Sequence, residues 1–484
     1  MKRAETHIKE RYTGMLLAMI VFGLVLTQCV FFDSTNPIVS TTTNSTAEKV
    51  TQPPREPAWM VAIGGGGRDY APSFCQTDDG YVVVGMSSSY GLGDGGGNQG
   101  GSHDFLAIKL DDFGNLVWST TIGGPEDERG SYSVSQTMDG GFLLVGTTKS
   151  FGAGRTDIFL VKLASDGHFE WSLVIGGSGS ETGMTALETG DGFMVLGSTD
   201  SFGAGKKDLL AVRLTSGGAI IWSKTYGGIA DDVGSGIAAV NENFVIGGTI
   251  WSFGAGEADA GLIMIDGSGN VIWGKTIGGE AGEGINWDGV RISRDGGIFF
   301  GEKTGSFGAK GGGALFGVKL RPNGNLEWST MIDGPGEDAG WTMNETEDGF
   351  IASGKITLQP NGGDILFVKF DKQGKLLWSR IFGAEGLDEI EEIKMSGEGY
   401  VMSGVTRMTD PAGDFLIARV NSDGFIGGSS DPITAFEPRS INSVVPKVTP
   451  FSPKVSDVST LISVMEVMPT ITHPIVQIRF LSRN

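Results

Sequence analysis

The chain has 484 residues, 80 of them Gly, with two Cys, four His and a net charge of −21. Such a surface repels phosphate backbones, because non-specific nucleic-acid affinity comes from Lys and Arg displacing counterions, so nucleic acid is not an expected partner. Two cysteines, one of them in an apolar head, build neither a disulfide framework nor a four-thiolate metal site.

The first element in chain order is an export signal. Lys2, Arg3, Lys9 and Arg11 precede an apolar run from Met15 to Phe32. A basic region followed by such a run directs export, and its length of about 18 residues approaches that of a spanning helix. The stretch Leu26-Thr27-Gln28-Cys29 resembles a bacterial lipoprotein cleavage box, with Cys29 as the lipid-bearing residue. Gln28 departs from the small residue expected there, which keeps an uncleaved signal anchor as the alternative. Both readings tether the rest of the chain to a membrane outside the cytoplasm, and simple secretion is the remaining alternative. Residues 33–57 are rich in Ser, Thr and Pro and read as a flexible linker.

Residues 58–430 are repetitive. Trp59, Trp118, Trp171, Trp222, Trp273, Trp328 and Trp378 recur at intervals of 50–59 residues, each in similar text such as GNLVWSTTIGG and GNVIWGKTIGG. An apolar strand opened by a DG turn follows each Trp by about 18 residues, as in DGGFLLVG. A further strand of the type DIFLVKL comes after a loop that often reads SFGAG. Each unit therefore offers four short β segments joined by Gly- and Asp-rich turns, and no window has helical periodicity. Four-strand units at this period predict an all-β, seven-bladed propeller of antiparallel blades. The strand at Trp59 has no preceding hairpin and is expected to complete the last blade and close the ring. An eighth blade stays open as an alternative if the tail contributes strands.

The pattern W-x-x-T-[IY]-G-G, then an acid, then D-G, G-x-T-x-S and D-x-[FL]-x-[VA]-[KR]-L resembles the bacterial seven-bladed β-propeller repeat family. The hairpin from Lys109 to Trp118 is similar to the Trp-docking repeat of quinoprotein dehydrogenase-like propellers. The resemblance covers about 370 residues and implies an exported propeller. It assigns no reaction, since a fold does not fix a function.

Residues present in every blade are expected to serve the blade. An acid stands six residues after the Ile, Tyr or Phe of each GG turn: Asp69, Glu128, Glu181, Asp232, Glu283, Asp338 and Asp388. A base recurs on the third strand: Lys109, Lys162, Arg213, Lys319, Lys369 and Arg419, with Met264 in the remaining repeat. We expect the two rings to be structural, each acid bonding turn amides or a neighbouring base. The repeated Trp residues read as core, each docking against the next blade.

Departures from the repeat are the candidate binding residues. Trp251, Trp287 and Trp341 are extra Trp in consecutive repeats, and Trp287 has the same offset from its acid as Tyr132. Exposed Trp on adjacent blades stacks on sugar rings or anchors a protein partner. The insertion at 91–104 carries Asp94 and Asn98 but reads as a Gly-rich loop rather than a calcium loop. His103 and His168 show no metal or general-base signature. No metal, cofactor or catalytic residue is therefore nominated, and no acid stands clear of the repeat. The expected function is a non-catalytic cell-envelope scaffold binding protein or glycan. The alternative is an extracytoplasmic enzyme acting on polysaccharide, or a quinoprotein-like oxidoreductase. Residues 431–484 lose the repeat and read as a Pro-rich tail with short strands over 460–468 and 475–481.

Overall fold

In the computed structural model the structure describes residues 58–91, 102–285, 289–309, 312–334, 336, 338–357, 363–382, 389–407 and 410–426, together with seven short strands between Ile433 and Arg483. All regular structure among the described residues is β, and none is helical. The strands form seven antiparallel sheets, six built on strands consecutive in the chain and the seventh on three such strands completed by the first strand of the chain. The innermost strands lead their blades: Asp69–Thr77 in blade 1, Glu128–Gln136 in blade 2, Glu181–Thr189 in blade 3, Asp232–Val240 in blade 4, Glu283–Gly284 with Arg291–Ile292 in blade 5, Ala339–Glu345 in blade 6 and Glu389–Ser396 in blade 7. The Trp-bearing strand lies fourth from the axis. In blade 7 that place is taken by Trp59–Gly64, which pairs with Asp414–Val420 from Trp59↔Arg419 to Ile63↔Phe415. The chain thus closes its own ring with seven blades.

The apolar pattern follows from this geometry. Interior strands such as Asp157–Leu163 are buried at every position, because both faces of a blade pack on neighbours. The core is accordingly seven clusters, one per blade junction, rather than a single centre. One of them joins Val82, Phe105 and Ile122 of blade 1 to Phe142, Phe159 and Val161 of blade 2.

The repeated Trp side chains lock these junctions from outside. Trp59 donates from Nε1 to Asp112 O at 2.8 Å, Trp222 to Gly267 O at 3.0 Å and Trp328 to Lys372 O at 3.1 Å, each on the next blade's outer hairpin. The hairpin glycine beneath the ring has a positive φ, as at Gly114 (79°) and Gly374 (78°). A Cβ on Gly114 would fall 2.9 Å from the Trp59 ring, so both backbone and space demand Gly there.

The C-terminal segment departs most from the sequence reading. It forms seven strands, not an eighth blade. Ile433–Ala435 pairs with Leu376–Phe382 of blade 6, and Ser440–Ser443 with Leu326–Asp333 of blade 5. Lys447–Pro450, Lys454–Asp457, Ser463–Glu466 and Thr470–Thr472 then pair with the outer strands of blades 4, 3, 2 and 1. Gln477–Arg483 ends on Trp59–Gly64 of blade 7. The segment runs once around the rim against the direction of the chain, adding a fifth antiparallel strand to every blade. Outer edges that would otherwise present unpaired N–H and C=O groups are covered, in six of the blades by strands of only three or four residues.

Candidate ligand site at the channel mouth

The repeated acids are the floor on which the site is built. Each described one except Asp338 opens its innermost strand, and Asp338 immediately precedes it; one carboxylate oxygen of each folds back onto the preceding GG turn. Gly65 N donates to Asp69 at 3.0 Å, Gly124 N to Glu128 at 2.7 Å and Gly177 N to Glu181 at 2.7 Å. The same bond links Gly228 to Asp232, Gly279 to Glu283 and Gly334 to Asp338. The second oxygen accepts from the end of the next strand, as from Thr199 Oγ1 to Glu181 at 2.6 Å. All six are buried; Asp388 lies outside the described residues.

The acids do not pair with the repeated bases. Lys109, Lys162, Lys319 and Lys369 reach the Asp of the DG turn instead: Asp79 at 2.5 Å, Asp139 at 3.0 Å, Asp295 at 2.5 Å and Asp348 at 2.6 Å. Arg213 makes the equivalent pair with Asp191, and Arg419 donates to Ser396 O at 3.5 Å. The two rings sit on different turns at opposite ends of the strands, so the pairing considered from the sequence is corrected. What faces five of these six acids is a second carboxylate, the Asp that opens the third strand of the preceding blade; for Asp338 that strand opens with Ala314 instead. A Cβ on Gly176 would fall on Asp157 Oδ1 and 2.7 Å from Glu181 Oε2. Burial, and then the charge of Glu181, push Asp157 up to about 6, and burial does the same to Asp69.

Departures from sevenfold symmetry gather in blades 4 to 7. Trp251 and Trp341 line one cavity of about 450 Å³ together with Thr249, Lys303, Lys355 and Glu389. Trp251 is 45 % exposed and presents its ring to solvent. Lys303 and Lys355 occupy the same register position on the second strands of blades 5 and 6, opposite Gly284 and Ala339. The other blades carry Met86, Thr147, Ser198, Thr249 and Val405 there. Glu389 opens the innermost strand of blade 7, and its carboxylate lies 3.9 Å from Lys355 Nζ.

Three residues further along that strand the channel wall is bridged. Glu392 accepts from Ser73 Oγ at 3.1 Å and Phe74 N at 2.9 Å on blade 1. It also meets Arg291 of blade 5 at 3.0 Å and Lys394 at 2.6 Å. Burial works to raise Glu392, but the ammonium of Lys394 and the guanidinium of Arg291 outweigh it and hold the carboxyl below its ordinary range. Its neighbour Glu391 goes the other way: burial pushes it up to about 8 despite a hydrogen bond with Tyr70. Blades 5, 7 and 1 are thus tied together beneath the mouth.

Of the residues singled out from sequence, Trp251 and Trp341 come together. Trp287 and Cys29 lie outside the described residues; Tyr132 lies on the innermost strand of blade 2, within a register irregularity between Arg129 and Ser133. Sequence reasoning missed Lys303, Lys355, Glu389, Glu391, Glu392 and Arg291. For Lys303 and Lys355 the signal was charge at a position that is uncharged in the other repeats.

No protein-family profile matches the chain, and no curated protein matches it. Among solved structures it is similar to a candidate 6-phosphogluconolactonase from Bacteroides fragilis NCTC 9343, at 9 % identity and a TM-score of 0.38, over 81 % of this chain and 100 % of that one. It is also similar to the arabinanase Arb43A of Bacillus subtilis, at 13 % identity and a TM-score of 0.26, over 50 % of this chain and 94 % of that one. The chain is a seven-bladed β-propeller. At these values neither likeness carries an argument about activity.

Proposed function

We propose that this propeller is a non-catalytic, membrane-tethered scaffold of the cell envelope that binds a glycan in the mouth cavity between blades 4 and 7. The observation that carries the reading is the convergence of Trp251 and Trp341 on one cavity with Lys303, Lys355 and Glu389. Aromatic faces beside a few fixed polar groups are what a sugar ring requires, and a cavity of this volume suits one or two sugar units. The closed ring of blades fixes these side chains relative to one another. Tethering rests on the export signal and Cys29, and kinship with the bacterial propeller repeat family rests on the docked Trp hairpins.

Titration of the purified protein with envelope oligosaccharides, followed by Trp fluorescence, tests the reading. Saturable binding that weakens at least tenfold in Trp251→Ala supports it; no response to any sugar removes it. Metabolic labelling with a fatty acid tests the tether, since Cys29→Ser abolishes the label only if Cys29 carries lipid.

One observation favours the enzymatic alternative. Adjacent carboxyls with opposed shifts, Glu391 up and Glu392 down, are how acid and base roles are divided. Both, however, are almost wholly buried, and neither lines the cavity. Hydrolysis of a bound oligosaccharide that disappears in Glu391→Gln would establish that reading instead.

A further inference from the structure

We propose that the ligand of the mouth cavity is a neutral sugar, held by two adjacent hydroxyls across Lys355 and Glu389 while Trp251 stacks on its ring. This rests on the glycan reading above and narrows it to one chemical class, uncharged oligosaccharides with a free vicinal diol.

The first observation is a balance of charge. The ionisable side chains of the lining are Lys303 and Lys355 against Glu283 and Glu389. Lys303 is engaged within the protein, and the Glu283 oxygens are held by Gly279 N at 2.7 Å and Thr304 Oγ1 at 2.7 Å. One ammonium and one carboxylate are left to meet a ligand. A charged group placed beside them is attracted by one and repelled by the other, so the pair favours neither sign.

The second observation is how that pair is set. Lys355 Nζ lies 3.9 Å from Glu389 Oε1, beyond hydrogen-bond distance, and both side chains are partly exposed. Neither side chain makes a hydrogen bond elsewhere among the described residues. A hydroxyl both donates and accepts. Two hydroxyls on neighbouring carbons therefore bridge the pair, one donating to Glu389 and the other accepting from Lys355. Each of these bonds has a charged partner, which makes it stronger than a bond between neutral groups.

The third observation is a hydroxyl released where the repeat breaks. Thr147 and Ser198 hold one register position in blades 2 and 3. Each accepts from a Gly amide on the next blade's innermost strand, Gly183 N at 3.2 Å and Gly234 N at 3.0 Å. Thr249 has that position in blade 4, but the innermost strand of blade 5 stops at Gly284 and resumes only at Arg291. Thr249 lines the cavity, and its hydroxyl makes no hydrogen bond among the described residues. An uncharged polar group is thus added to the wall that carries the pair. The exposed indole of Trp251 supplies the apolar face for the sugar ring.

The purified full chain is titrated with the methyl glycosides of cellotriose, β-1,4-mannotriose and β-1,4-galactotriose. Their counterparts deoxygenated at every C3, which have no two hydroxyls on neighbouring carbons, and a glucuronate-terminated cellotriose complete the set. At least one parent trisaccharide is expected to bind about tenfold or more tightly than its deoxy counterpart. Added salt leaves that affinity unchanged, because the ligand carries no charge. Lys355→Met and Glu389→Ala each lose the preference for the parent. The comparison of ligands on the wild-type chain needs no variant.

Equal binding of parent and deoxy sugar overturns the diol clamp and leaves the glycan reading standing. A preference that survives in both variants does the same. Tighter binding of the glucuronate-terminated sugar overturns the neutral assignment. Binding of none of the probes overturns both readings.

Discussion

The blade junctions and the channel mouth both bury carboxylates, and they satisfy them differently. At a junction, Glu181 is answered by groups close in the chain, the Gly177 amide of the turn that leads into its blade and Thr199 Oγ1 of the blade itself, within 20 residues in sequence. At the axis, Glu392 is answered by Ser73, Phe74 and Arg291 from other blades, with only Lys394 close in the chain. The first arrangement can be written into a repeat and copied around the ring. The second exists once and only after the ring has closed. Shared charge therefore marks scaffold here, and unshared charge marks the site.

The largest effect should come from breaking a junction. Glu181→Ala leaves a buried amide and a buried hydroxyl without acceptors, and should cost about 3–5 kcal/mol of stability, read as a large fall in Tm. Asp338→Ala should act in the same direction. A Tm within a degree of wild type would show that the acid ring is not structural. Glu392→Ala should cost less, about 2 kcal/mol, because Arg291 and Lys394 each keep access to solvent and can rehydrate. If it costs more than Glu181→Ala, the axis rather than the junction holds the ring.

The comparison also predicts a pH dependence. Asp69 and Asp157 are raised to about 6 and Glu391 to about 8, so the folded state holds these protons more tightly than the unfolded chain. Their contribution is complete below about pH 4 and is lost as pH rises through 6 and then 8. Tm should fall from pH 5 to pH 9, and Glu391→Gln should flatten the upper part of that fall while Asp157→Asn flattens the lower. A Tm that rises over this range would contradict the buried protonated carboxyls.

The rim is expected to matter least. Ser456→Pro, opposite Thr225 in the fifth strand of blade 3, should cost about 1 kcal/mol and speed hydrogen exchange in Ile220–Gly227 alone. Acceleration in every blade at once would mean that the C-terminal segment binds as a single cooperative unit. Trp251→Ala, at an exposed ring, should change stability by less than about 0.5 kcal/mol while removing sugar binding, which separates site from scaffold.

Much of this was legible because it is local. Trp59 without a hairpin announced ring closure, and the Lys109–Trp118 hairpin announced Trp docking, since each needs only a neighbouring repeat to be understood. The acids were legible as a ring but not in their bonding. The Gly124 amide that answers Glu128 is a backbone group and leaves no trace in composition. The rim belt carried a signal that was passed over: its strands begin at 433, 440, 447, 454, 463, 470 and 477, mostly seven residues apart. Pro stands immediately before those at Ile433, Lys447, Lys454 and Thr470. Strands of three or four residues are too short for alternation to show.

By itself the sequence determined seven repeats of four strands and the strand that closes the ring, because turn chemistry and apolar runs repeat within each unit of some 53 residues. Tertiary structure alone decided the rest. It chose the rim over an eighth blade, since the unpaired outer edges of the Trp strands exist as acceptors only once the blades have formed. It also brought Trp251, Trp341, Lys303, Lys355 and Glu389 to one cavity. Those residues come from four different blades, and only the packing of blade against blade around a closed ring sets the distances between them.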